Sequence, residues 1–209
     1  MISKFSNHLF NFHQIQQWCY AEEPFKVVWA VRDDGIMLSF TYLKEQDIFI
    51  LEIGVSGGGS LKMWYEYFPN ATIIGLDIND ESELSNDRTH VYQLDQSNDY
   101  QLESFVKQCE EKGYEFDIII DDGSHHMRDQ QVTLGYLFPL LKSKGIYVIE
   151  DLHTCHMQPY LQGVESTLLV LDKFNKDGKI ANRQFFADKY KVSKKVISKA
   201  VKRENYKNV

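Results

Sequence analysis

The sequence predicts an α/β fold, a doubly wound and mostly parallel sheet, preceded by a cap and followed by a basic helical extension. Three observations carry that expectation. Apolar runs of strand length end again and again in polar or acidic residues, the intervals between them have helical length, and a glycine-rich turn joins the first clear strand to the first helix.

Residues 1–47 read as an N-terminal cap holding Trp18, Tyr20, Trp29 and the turn-like Asp33-Asp34-Gly35. The core is expected over 48–170, with strands in IFILEIGV (48–55), TIIGLDIN (72–79), HVYQLDQ (90–96), FDIIIDD (116–122) and GIYVIED (145–151). Continuous apolarity and β-branching suit strands covered on both faces. The intervals supply helices: SLKMWYEYF, then YQLESFVKQCEEKG stopped by Gly113, then MRDQQVTLGYLFPLLKSKG stopped by Gly145. Pro139 should kink or end the last of these, because proline lacks the backbone N–H and clashes with the preceding turn. In the extension, 171–209, the apolar positions Val192, Val196, Ile197, Ala200 and Val201 share one helical face among lysines. That helix is expected to dock on its own acidic domain.

Composition narrows the classes. With 209 residues, 43% hydrophobic and 13% aromatic, the chain can bury one full core. Three cysteines without CxxC spacing indicate neither a disulfide framework nor a zinc knuckle, which points to a reducing, cytoplasmic setting. No apolar run approaches the roughly 18 residues a membrane span requires, and the N-terminus lacks a signal core. The net charge of −7 is uneven: from Leu171 onward 12 Lys or Arg face 4 Asp or Glu, leaving 11 against 26 before it. An acidic body argues against nucleic acid as partner, since phosphate binding needs a basic footprint.

Two strand-like runs each end in adjacent carboxylates, Asp121-Asp122 and Glu150-Asp151. In an open parallel sheet both ends face one crevice, where hard oxygen ligands suit Mg²⁺, Ca²⁺ or Mn²⁺. His125 and His126 follow Asp122 closely enough to act on whatever the metal holds, and an imidazole can take a proton at neutral pH. Asp122 and Ser124 are also placed to cap the helix near Asp129. His153-Thr154-Cys155-His156, without a partner pair elsewhere, reads as pocket lining rather than a soft-metal site.

The loop Glu52-Ile53-Gly54-Val55-Ser56-Gly57-Gly58-Gly59-Ser60 follows a strand and opens a helix, where a ligand can approach the backbone. It is not the dinucleotide fingerprint, because Ser56 stands where GxGxxG needs its second glycine. Asp77 ends the next strand, where an acid accepts hydrogen bonds from ribose hydroxyls, and Asp95 ends the third. No GKS or GKT follows the loop, which excludes a P-loop. A nucleoside without phosphates, S-adenosylmethionine, fits this set.

LEIGVSGGGSL, GLDIN and LDQSND resemble the first three motifs of the Rossmann-like class I S-adenosylmethionine-dependent methyltransferases. FDIIIDDGSHH followed by IYVIEDLHT is similar to one branch, the metal-dependent macrolide and sugar O-methyltransferases, over about residues 48–155. The resemblance implies that Asp122, Glu150 and Asp151 ligate Mg²⁺ (or Mn²⁺) and that His125 is the general base. It implies a donor site lined by Glu52, Gly54, Gly58, Ser60, Asp77, Asp95 and Gln96, with Asp121 at the donor's methionine end or behind the metal ligands. A small-molecule or glycan acceptor and, by analogy, a homo-oligomer are implied as well. The chemistry is coherent: the cation lowers a sugar hydroxyl's pKa, His125 takes the proton, and the site aligns oxygen, methyl carbon and sulfur. A catechol or phenol acceptor, or a catalytically silent donor-binding protein, are the alternatives. Methyltransferases of this class usually finish with an antiparallel strand pair, whereas residues 160–209 show no alternating hairpin.

Overall fold

The computed structural model describes residues 40–171 and, before them, two short strands at 18–19 and 26–29. Seven strands form one sheet: β1 (Trp18–Cys19), β2 (Lys26–Trp29), β3 (Phe49–Ile53), β4 (Thr72–Asp77), β5 (Thr89–Gln93), β6 (Phe116–Asp121) and β7 (Leu141–Ile149). Their order is β1-β2-β7-β6-β3-β4-β5, parallel throughout except for β1 against β2. The expected α/β architecture is therefore present. Its edge beside β7 comes from β1 and β2, within the stretch read as a cap.

The continuous apolar runs are explained by two cores, one on each face. Leu51, Ile53, Ile74, Leu76 and Ile119 point to one side, and Ile50, Ile73, Ile118 and Ile120 to the other. Side chains alternate along a strand, so a strand buried on both faces has no polar position to spare. Each such side chain contributes about 1.5–3 kcal/mol relative to exposure.

Helices α1 (Gly59–Tyr67), α2 (Asp99–Lys112) and α3 (Met127–Leu137) fill the intervals. The Asn98 side chain accepts the Tyr100 and Gln101 amides at the start of α2, and Gly113 ends it in the left-handed region at φ 70. Both ends obey ordinary capping chemistry.

The end of α3 corrects the expectation at Gly145. The helix stops at Leu137, Pro139 sits in the 3-10 turn Phe138–Leu140, and β7 begins at Leu141. Gly145 lies inside β7, not at a helix end. Phe116 pairs with Leu141 and Ile118 with Ile146, so residues 142–145 make an excursion from the ladder. A Cβ on Gly145 would lie 2.9 Å from the Lys142 carbonyl oxygen. Lys142 Nζ is held by Asp117 Oδ2 at 2.7 Å. A tertiary ion pair and the β6 register thus override the helical look of LLKSKG.

No helix among the described residues is long and apolar enough to cross a membrane. The lysine-rich helix expected from Asp188 onward lies outside the described residues.

Candidate active site

The site grows from three neighbouring strand ends. Beyond β6 the ladder continues through two backbone bonds, Asp122 N–H to the Ile53 carbonyl and Glu150 N–H to the Asp121 carbonyl, both 2.9 Å. These level the carboxyl ends of β3, β6 and β7. Gly54 is required where β3 turns away: its φ is 83, and a Cβ there would fall 2.7 Å from Gly123 Cα and onto the Asp122 carbonyl. The glycine loop and the acidic turn are thus packed backbone to backbone.

On that shelf one ligand atom each from Asp122, His125 and Asp151 lies within 4.8 Å of the other two. All three residues are half-buried. His125 Nε2 is 3.4 Å from Asp151 Oδ2, while His125 Nδ1 is buried with no hydrogen-bond partner. His125 and Asp151 both have left-handed backbones, at φ 57 and 55. Such conformations are uncommon for non-glycine residues and gather at functional sites. Two carboxylates and an imidazole in this geometry fit a divalent cation of the magnesium or manganese type.

Glu150, expected beside Asp151, is absent from this group of three. It is buried to 6% exposure, and its carbonyl accepts from Gln130 Nε2 at 3.2 Å. Asp122 does not cap α3, whose N-cap is His126 with no side-chain capping bond. Ser124 takes the local role, accepting the His126 N–H and donating to Asp129 Oδ2 at 2.8 Å. The ring of His126 packs at a tilt of 37° against Tyr160 of α4 (Gln158–Leu161), 5.4 Å between centroids.

On the donor side, Asp77 organises the glycine loop. Its Oδ2 accepts the Val55 and Ser56 amides, each at 3.0 Å, and its Oδ1 accepts the Asn79 amide at 2.9 Å. The loop is left-handed at Ser56, Gly57 and Gly58, with φ 43, 32 and 76. Gly58 is buried against Leu84, and Ser60 stands half-buried in the first turn of α1. Glu52 is buried at 1% exposure and its Oε2 accepts the Trp64 indole N–H at 2.8 Å. Asp95 Oδ1 accepts the Ser97 amide at 2.8 Å.

Gln96 joins the two halves of the site. Its Nε2 donates to Asp121 Oδ1 and to Thr133 Oγ1, each at 3.1 Å, and its Oε1 accepts the Ser124 amide at 2.6 Å. Asp121 is buried to 1%, and its Oδ2 has no hydrogen-bond partner. Its carboxyl is pushed up to about 7, chiefly by burial; the Gln96 and Gly123 hydrogen bonds oppose this, and the negative charges of Asp122 and Asp129 add to it. Sequence reasoning missed Asp129 and Thr133 as supports. Their signal was the polar run Arg128 to Gln131 in a helix that had to be buried.

Known proteins resemble the chain at this point. The model of a family described as a methyltransferase domain matches residues 44–206. A Streptomyces olivaceus protein, 8-demethyl-8-(2-methoxy-α-L-rhamnosyl)-tetracenomycin-C 3′-O-methyltransferase, is 40% identical over 128 residues, covering 58% of this chain and 32% of its own length. Mycinamicin VI 2″-O-methyltransferase of Micromonospora griseorubida is 40% identical over 124 residues, 56% of this chain and 30% of that one. The chain spans about a third of the length of these curated relatives. Among solved structures, MycE methyltransferase of the mycinamycin pathway, in complex with Mg, S-adenosylhomocysteine (SAH) and mycinamycin VI, aligns at TM-score 0.60 and 33% identity, over 67% of this chain and 41% of that one. The parallel-sheet fold is shared with it.

Proposed function

This chain belongs to the methyltransferase-domain family, and from that premise we propose that it transfers a methyl group from S-adenosylmethionine to a sugar hydroxyl with the help of a divalent cation. The observation that carries the reading is the convergence of Asp122, His125 and Asp151 beside the glycine loop. Support for the acceptor class comes from the relative whose name specifies 3′-O-methylation of a rhamnosyl-bearing tetracenomycin, and for the ligands from MycE with its Mg and SAH. The acceptor is a glycoside, a nucleotide sugar or a polysaccharide.

Asp122 and Asp151 would hold the cation, and Glu150, which lies outside the group of three, is the further ligand expected from the sequence. When bound, the donor's sulfonium supplies an activated methyl group and the cation lowers the pKa of the acceptor hydroxyl. His125 Nε2 takes the hydroxyl proton. Asp151 Oδ2, 3.4 Å away, then faces the imidazolium and stabilises it. The loop from Gly54 to Ser60 binds the donor through its backbone, in the shape that Asp77 imposes. Glu52, Asp95, Gln96 and Asp121 surround the donor side. Alignment of the reacting atoms, rather than covalent help, supplies most of the acceleration.

Calorimetric titration with SAH, with and without Mg²⁺, tests the donor site; absence of binding in both conditions would remove the reading. With nucleotide sugars and glycosides as acceptors, a chelator should abolish turnover and leave SAH binding intact. His125→Ala should lose about 10²–10⁴-fold in turnover while keeping Mn²⁺ affinity. If that variant loses Mn²⁺ instead, His125 is a ligand and not the base.

A further inference from the structure

Thr154 lies three residues past Asp151, in the 3-10 turn Leu152–His156 that follows β7. It is buried, at 4% exposure. Its hydroxyl is 2.8 Å from the Asp151 carbonyl oxygen and 3.2 Å from the His125 carbonyl oxygen. The contact to Asp151 is the ordinary local bond of such a turn. The contact to His125 spans 29 residues, and nothing local requires it.

The two carbonyls belong to the two residues of the group that have left-handed backbones. That region is held only when the surroundings specify it. The Thr154 amide already donates to the Asp151 carbonyl at 3.0 Å, so the single hydroxyl proton is free to be shared with the His125 carbonyl. Branching at Cβ limits the rotamers of the side chain, which fixes where that proton points.

We propose that Thr154 is a positioning residue: its hydroxyl staples the turn bearing Asp122 and His125 to the turn bearing Asp151 and so sets the spacing of the two carboxylates and the imidazole. The inference rests on the reading of Asp122, His125 and Asp151 as a cation-and-base centre. Each turn alone keeps its own local bonds. Beyond the Glu150–Asp121 ladder bond, this hydroxyl links the backbone of one turn to the backbone of the other, and the 3.4 Å separation of Nε2 and Oδ2 depends on both turns at once.

The test uses Thr154→Val, which keeps the shape and removes the hydroxyl, and Thr154→Ser, which keeps the hydroxyl. Mn²⁺ alone is titrated by electron paramagnetic resonance and SAH by calorimetry on the same samples. Loss of a group that orients metal ligands typically costs about 10–100-fold in affinity, so Thr154→Val should weaken Mn²⁺ by that factor, leave SAH within about twofold, and be rescued by Thr154→Ser. Unchanged Mn²⁺ affinity in Thr154→Val would overturn the proposal. So would a parallel loss of SAH, which marks a general support of the fold. A wild-type protein that binds SAH but no Mn²⁺ would remove the cation reading and this inference with it, whereas wild-type Mn²⁺ binding with an indifferent Thr154→Val removes the inference alone.

Discussion

Asp121 shows how much one carboxyl can be altered by its place. Adjacent in sequence to Asp122, it points instead into the core side of β6, where desolvation raises it from 3.8 to about 7. The protonated form is the one the fold favours. Its contribution to stability is therefore complete below the unfolded value of 3.8 and is lost as pH rises through the folded value near 7. In metal-free protein Asp121→Asn should remove that loss and gain about 1–4 kcal/mol over the wild type at pH 8, at about 1.4 kcal/mol per pKa unit. Urea unfolding at several pH values checks it, and equal slopes for the two proteins would refute the assignment. The pair of carboxylates was legible as a pair. That one is half-buried at the shelf and the other sealed beneath it follows from strand alternation together with the position of Gln96 in the loop after β5, which no local pattern reveals.

At the scale of elements, the ends of α1 show two kinds of anchoring. Its start is shaped by Asp77 through the glycine loop. Arg88 gathers the carbonyls at the C-terminal end of the helix and in the turn that follows: Nη2 donates to Tyr65, and Nη1 to the C-cap Phe68 and to Ala71 before β4, all at 3.0 Å. The guanidinium also lies 3.8 Å over the Tyr65 ring. Arg88→Met should cost about 2 kcal/mol in urea, the range of hydrogen bonds to a charged donor. SAH affinity should not change, because Arg88 precedes β5 at the opposite end of the sheet from the site. A weakened SAH affinity would mean that α1 transmits strain to its loop. Helix α3 is the other instructive element: Gln96, Ser124, Glu150 and Glu165 are all tied to it, through Thr133, Asp129, Gln130 and Gln131. The helix-length interval between two strand-like runs predicts a helix here. Pro139 marks its end, at Leu137, as proline chemistry predicts, whereas the stop expected at Gly145 is misplaced because pairing with β6 makes Leu141 a strand residue.

Across the whole molecule, β3 and β6 occupy the middle of the sheet and carry residues of both cores. Opening them exposes both faces at once, so their amides should exchange hydrogen only through global unfolding, while those of the edge strand β5 exchange through smaller openings. Exchange followed by mass spectrometry checks this ranking; faster exchange in β6 than in β5 would show that the site end of the sheet opens independently. The sequence by itself determined the alternation of strands and helices, the glycine turn and the acidic strand ends, because burial on two faces and tight turns leave their mark on consecutive residues. Tertiary structure decided which atoms meet. The 29-residue link from Thr154 to His125, the clamp of Gln96 on the acidic turn and the addition of β1 and β2 beside β7 join segments distant in the chain. Such contacts depend on sheet order and register, and a pattern of neighbours along a chain carries no record of neighbours across it.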